Sequence, residues 1–183
     1  MRSIIIGSDH AGFEYKEQLQ LFLNKNEIIG KYFPGGIRCI DVGCYSNDSV
    51  DYPDFVHIAM KNSLENNAIV ILICGSGNGV SMTANKYNNK RAAVCWNTEI
   101  AELARKHNDA NVLCIPSRFV SVIEVRKIII TFLNTEFEGG RHERRVRKIN
   151  IPSERTKGPF SSLKIGTHKV TSINTSNYMI SEL

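Results

Sequence analysis

The 183-residue sequence contains no CxxC pair; its five cysteines, Cys39, Cys44, Cys74, Cys95 and Cys114, form an odd, scattered set. Reduced thiols in interior strands behave as small apolar residues, so the set indicates a reducing compartment, most simply the cytosol. No apolar run approaches the roughly 20 residues that cross a bilayer, so no membrane partner is expected. The start of the chain lacks the basic, apolar and cleavage regions of a signal peptide. The P-loop pattern GxxxxGK[ST] is missing, and no GxGxxG stands near the N-terminus, which removes two common nucleotide-binding signatures. No metal-ligand spacing is evident, and neither a metal nor another cofactor is expected. The charge excess is small as well: a formal net charge of +5 and a pI of about 9.0 do not by themselves indicate nucleic acid.

What is present is a chain 42% hydrophobic and 22% charged, which fits one soluble domain with a modest appendage. Its most informative stretch runs from Ala68 to Lys86. A continuous apolar run, Ala68 to Ile73, suits a strand buried on both faces of a parallel sheet. Cys74 ends it, and Gly75, Ser76, Gly77, Asn78 and Gly79 follow. Glycines at that density let the backbone turn sharply and approach a ligand. Val80 to Lys86 then reads as a helix start, so the loop amides would meet an anion. A thiol at this position is also favoured as thiolate.

Around that stretch, strands are expected at Ser3–Ser8, Arg38–Gly43, Arg91–Trp96 and Asn111–Ile115. Helices are expected after Gly12 (Leu19, Leu21, Phe22 and Leu23 inward), at Asp54–Leu64 (Phe55, Ile58, Ala59 and Leu64 inward), from Thr98 as cap to about Lys106, and at Val122–Leu133. The short helix after the glycine loop should end near Tyr87-Asn88-Asn89, and Pro34-Gly35-Gly36 should turn. Strands alternating with helices argue for a parallel sheet covered on both faces, whose ligands sit beyond the strands' carboxyl ends. Asp9-His10 and Cys74 to Gly79 belong on that edge. His107-Asn108 precedes its strand instead, which hints that it reaches a neighbouring subunit's site. Past Gly139-Gly140 a short basic helix sets Arg141 and Arg145 on one face. From Pro152 onward the composition turns to Ser, Thr, Asn and Lys, as in an extension that is mobile or lies along a partner.

Each of these residues has a plainer reading. Asp9 could simply cap the first helix, Cys74 could be an inert strand thiol, and His107 could only interact with a helix dipole. The Arg141 to Lys148 cluster could be a solvated face, or could bind nucleic acid. Together, however, arginines suited to a phosphate, a candidate thiolate base and loop amides for an oxyanion are what an aldose–ketose isomerase needs.

The ordered set GSDHAGFEYK, DVG, DYPD, ILICGSGNGVSMTANK, RAAVCW, HNDANVL and EGGRHERRV resembles ribose-5-phosphate isomerase type B from Met1 to about Asn150. The resemblance implies a Rossmann-like three-layer αβα sandwich with a five-stranded parallel sheet. It also implies a homodimer or dimer of dimers with shared active sites. The implied reaction is metal-independent interconversion of ribose 5-phosphate and ribulose 5-phosphate through an enediolate, in the non-oxidative pentose phosphate pathway. By that resemblance Cys74 is the base, and Gly75, Ser76, Gly77, Asn78 and Gly79 stabilise the enediolate, with Ser76 where many members have Thr. Asp9 and His10 lie near the sugar, and Asp9 and Ser76 are counted with the catalytic group. His107 opens the furanose ring and Asn108 contacts substrate beside it. Arg118, Arg141 and Arg145 match phosphate-binding positions, some from the partner subunit. The domain is then 1–150 and the extension 151–183. A longer connection from Glu27 to Arg38 and the long tail depart from the family. Six-carbon phosphates of allose or galactose are alternative substrates, and a non-catalytic sugar-phosphate-binding module is the alternative from another class.

Overall fold

The computed structural model describes residues 2–24, 30–66 and 68–150. Five strands, β1 (Arg2–Ser8), β2 (Ile37–Asp41), β3 (Ile69–Cys74), β4 (Ala92–Val94) and β5 (Val112–Pro116), form one sheet in the order β2-β1-β3-β5-β4. Every pairing is parallel: Ile4 stands beside Cys39 and Ile69, and Val70 beside Val112. The helices are α1 (Phe13–Asn24), α2 (Tyr52–Asn66), α3 (Asn78–Ala84), α4 (Thr98–Asn108), α5 (Val122–Asn134) and α6 (Arg141–Val146). A parallel pair needs a crossover, and these helices provide them.

The apolar runs are explained by burial on two faces. Along β1, β3 and β5, Ile4, Ile6, Ile71, Ile73, Leu113 and Ile115 point one way. They meet Leu19, Phe22 and Leu23 of α1, Ala101 and Ala104 of α4, and Val125, Ile129 and Phe132 of α5. Their alternates, Ile5, Val70, Leu72, Cys74, Val112 and Cys114, pack on Val56, Ala59 and Met60 of α2 and Val80 and Ala84 of α3. This is the expected αβα sandwich, and it puts Cys74 in the α2–α3 layer.

Several local expectations are corrected. On α2 the inward face is Val56, Ala59, Met60 and Ser63, while Ile58 is 46% and Leu64 65% exposed. Val56, not Phe55, is the residue whose register faces the sheet. Leu21 of α1 is 66% exposed for the same reason. Asn97, not Thr98, caps α4, its Oδ1 accepting the Ile100 N–H at 2.8 Å. The helix continues to Asn108, and Asp109 ends it in the left-handed region at φ 46°. The helix after the glycine loop stops at Ala84, and β2 at Asp41. The Pro34-Gly35 turn forms, closed by Gly36 N–H donating to Phe33 O at 2.8 Å. Residues 25–29 of the long connection and the extension 151–183 lie outside the described residues.

One charged group is built into this core. Lys16 is fully buried, and its Nζ donates to Asp41 Oδ2 at 2.5 Å and Glu17 Oε1 at 2.7 Å. Burial pulls its pKa down, but the bonds to Asp41 and Glu17 outweigh that and leave it raised.

Candidate active site

At the carboxyl edge of the sheet, Cys74 closes β3 and is 4% exposed. Its Sγ accepts the Gly77 N–H at 3.1 Å. That contact needs the chain to fold back within three residues, which it does by holding Gly77 at φ 75°. A Cβ there would also lie 2.9 Å from Val94 Cγ1, so both the conformation and the space call for glycine. The α3 helix starts at Asn78 without a side-chain cap, which leaves its first amides for other acceptors. Ser76 and Asn78 are exposed at the mouth, with Asn78 N–H reaching Ser76 Oγ at 3.4 Å.

Neighbouring elements lock this loop. Ser117 N–H donates to Cys74 O at 3.0 Å, and Ser117 Oγ lies 3.1 Å from Cys74 O and 2.9 Å from Ala11 O. Arg118 N–H donates to Gly75 O at 3.2 Å, and the guanidinium lies so close that a Cβ on Gly75 would meet its Nε at 3.1 Å. The Tyr52 ring covers Gly79. From β1, Asp9 does cap a turn: Oδ1 accepts the Gly12 N–H at 3.0 Å. His10 Nδ1 accepts the Val50 N–H at 3.3 Å, which puts the proton of the neutral ring on Nε2.

A second group occupies the amino edge. Arg91 fixes the end of α4, donating through Nε to Asn108 O at 3.0 Å and Asp109 O at 2.7 Å, and through Nη2 to Asp109 Oδ2 at 2.6 Å. Glu138 N–H donates to Lys106 O at 3.0 Å, so the strap before α6 lies along α4. There His107 and His142 stack with ring centroids 4.2 Å apart and planes 1° from parallel. His107 Nε2 is 3.8 Å from Glu138 Oε2, and Arg141 Nε–H donates to His142 Nε2 at 3.2 Å. Burial lowers the pKa of His142, and the charges of His107, Arg141 and Arg145 add to this against Glu138. Arg141 and Arg145 are exposed.

His107, Glu138 and His142 offer three ligand atoms within 4.8 Å of one another. Metal-bound imidazoles direct in-plane lone pairs at one ion, and the lone pairs of two parallel stacked rings do not converge. Arg141 also engages one nitrogen of His142. The arrangement does not fit a metal centre.

The two groups are far apart within one chain. Val112, which follows Asn108 by four residues, pairs with Val70 at the beginning of β3, whereas Cys74 ends it. A strand rising about 3.3 Å per residue puts roughly 17 Å between the first and last residues of β3. The structure therefore gathers Asp9, His10, Cys74, Gly75, Ser76, Gly77, Asn78, Gly79 and Arg118 at one edge. His107, Asn108, Arg141 and Arg145 lie at the other. Sequence reasoning had no role for Ser117, Tyr52, Glu138 or His142. Three of the four stand in or beside quoted motifs, but their contacts depend on which elements meet.

A doubly covered parallel sheet with a thiol beneath a glycine turn at its carboxyl edge defines an α/β protein of the class whose ligands sit at that edge. More particularly, the chain belongs to the ribose/galactose isomerase family, whose family model matches residues 4–149. It is 37% identical over 158 residues to ribose-5-phosphate isomerase B of Escherichia coli, covering 85% of this chain and 99% of the relative. The ribose 5-phosphate isomerase structure from Thermotoga maritima is similar at TM-score 0.73 and 46% identity, over 81% of this chain and 97% of that one. That from Mycoplasma genitalium, with bound ribulose 5-phosphate, is similar at TM-score 0.72 and 40% identity, over 80% and 93%.

Proposed function

We propose that the protein interconverts D-ribose 5-phosphate and D-ribulose 5-phosphate in the non-oxidative pentose phosphate pathway, with residues 1–150 as the isomerase domain. The observation that carries this reading is the Cys74 thiol at the sheet's carboxyl edge, held by the Gly77 amide under an uncapped helix start. The family membership and the named relatives support it.

The chemistry follows from the two groups. His107 protonates the ring oxygen of the furanose while the C1 hydroxyl gives its proton to water, and the ring C–O bond breaks to leave an open-chain aldehyde. The Cys74 thiolate removes the C2 proton. The C–H pair becomes the C1–C2 double bond, and the former carbonyl oxygen takes the negative charge. Amides of Gly75 to Gly79 and the Ser76 hydroxyl hold that oxyanion, because donors aimed at developing charge act where reorganisation is already done. The C2 hydroxyl passes its proton to the C1 oxygen, Cys74 returns the abstracted proton to C1, and the C2 oxygen becomes the carbonyl of the ketose. Asp9 and His10 orient the sugar, Asn108 contacts it beside His107, and Arg118, Arg141 and Arg145 hold the phosphate.

The separation of the two groups within one chain supports a homodimer, alone or within a dimer of dimers, whose partner brings its amino-edge group to this chain's Cys74. Among the described residues no helix is long and apolar enough to cross a membrane, and we take the enzyme to be cytosolic. Purified protein should convert ribose 5-phosphate to ribulose 5-phosphate in a coupled assay. Binding without turnover would leave a sugar-phosphate-binding module. Faster turnover of allose or galactose 6-phosphate would move the substrate class to six carbons.

A further inference from the structure

His142 stands at the amino edge between His107 and Arg141, and the proposed chemistry gives it no role. It is nevertheless 5% exposed, in a helix whose other polar residues face solvent. Burial of an imidazole on a six-residue helix is costly unless the ring is satisfied. Here one nitrogen is satisfied by Arg141, and one face by the His107 ring at 4.2 Å. The bond from Arg141 Nε–H requires a lone pair on His142 Nε2, so the ring is neutral. The charged and titratable groups facing it are His107 from α4, Glu138 from the strap, and Arg141 and Arg145 from its own helix. Two stacked imidazoles resist carrying two charges, and Glu138 Oε2 of the strap lies 3.8 Å from His107 Nε2.

We propose that His142 is the positioning residue of the ring-opening step: its stacked ring holds His107 in the orientation that delivers a proton, and its Nε2 holds the Arg141 guanidinium that meets the phosphate. The inference rests on the reading of His107 as the ring-opening acid. One side chain then ties the acid to a phosphate contact, so that both are set by the same rigid stack. A misplacement of about 1 Å costs on the order of 100-fold in a positioned reaction, and loss of one face of the His107 ring permits a displacement of that size.

The test uses two assays on the full-length protein. Isomerisation of ribose 5-phosphate requires ring opening. Solvent-deuterium exchange into ribulose 5-phosphate, which is open-chain because its C5 oxygen carries the phosphate, uses Cys74, the loop and the same phosphate contacts but no ring opening. His107→Ala should lose isomerisation while keeping exchange. His142→Ala should show the same selective loss, on the order of tenfold or more in kcat, with a raised KM. His142→Phe restores the stack without the acceptor, and should recover kcat to within about threefold while KM stays raised. Equal loss of both activities in His107→Ala overturns the ring-opening reading and this inference with it. A selective loss in His107→Ala beside parental kinetics, or beside equal loss of both activities, in folded His142→Ala overturns this inference alone. Failure of His142→Phe to recover kcat overturns the stacking role.

Discussion

Replacing Cys74 tests the chemistry most directly, because the structure separates its effect on rate from its effect on stability. The thiol is buried under the glycine loop and makes one hydrogen bond, from Gly77 N–H at 3.1 Å. Cys74→Ala removes that bond and leaves a buried amide unpaired, a cost of about 1–3 kcal/mol. A domain of this size has roughly 5–15 kcal/mol of stability, so the variant stays folded, with a lower urea midpoint. The rate effect is larger. A positioned general base contributes roughly 10²–10⁴-fold, which corresponds to about 2.7–5.4 kcal/mol of barrier. Both isomerisation of ribose 5-phosphate and deuterium exchange into ribulose 5-phosphate should fall by that factor, since each passes through the enediolate. Cys74→Ser is the matching control: it keeps a polar atom beside Gly77 N–H but presents a hydroxyl, a poor base at neutral pH. It should recover stability without recovering rate. A folded Cys74→Ala or Cys74→Ser protein with kcat within about threefold of the parent would show that the proton is removed elsewhere.

The remaining predictions concern the elements around that thiol. Arg118→Ala should raise KM for ribose 5-phosphate by roughly 10–100-fold, the worth of one or two charge-assisted bonds, with a smaller change in kcat; an unchanged KM would remove Arg118 from the phosphate site. Gly12→Ala should destabilise the fold by about 3 kcal/mol in urea denaturation, because the new Cβ would lie 2.5 Å from the Ile73 carbonyl oxygen, a backbone atom that cannot step aside; a loss below about 0.5 kcal/mol would contradict that packing. Lys16→Met should cost about 3–5 kcal/mol by leaving Asp41 without its partner. The folded-state pKa of Lys16 is raised, so its contribution is fully present below the unfolded value of 10.5 and lost as pH rises through the higher folded value. The stability gap between parent and variant should therefore hold from neutral pH to about 10 and narrow above it, and a gap that narrows on acidification between pH 8 and 6 would refute the assignment.

Much of this protein is determined locally. Runs such as Ile69 to Ile73 and Val112 to Ile115 have no polar interruption, and only a strand covered on both faces accepts that pattern. Layer order, the thiol at the strand's end and the turn at Gly77 follow from residues adjacent in sequence. So does the displacement of His107 from the carboxyl edge, since it precedes its strand. Helical registers were harder to read. Phe55, Ile58 and Leu64 are as apolar as Val56 and Met60, and the choice between the two faces of α2 belongs to the sheet it packs on. Asn97 and Thr98 are both good caps, and the direction of entry into α4 decides between them. The tertiary structure alone brings Arg118 against Gly75, Tyr52 over Gly79 and His142 onto His107. Each of those contacts joins segments that are distant in sequence or whose meeting depends on the path of an intervening loop, and no local pattern encodes such a path. The residue types needed for sugar-phosphate chemistry are thus written in the chain, whereas their division between two edges of one sheet is a property of the fold.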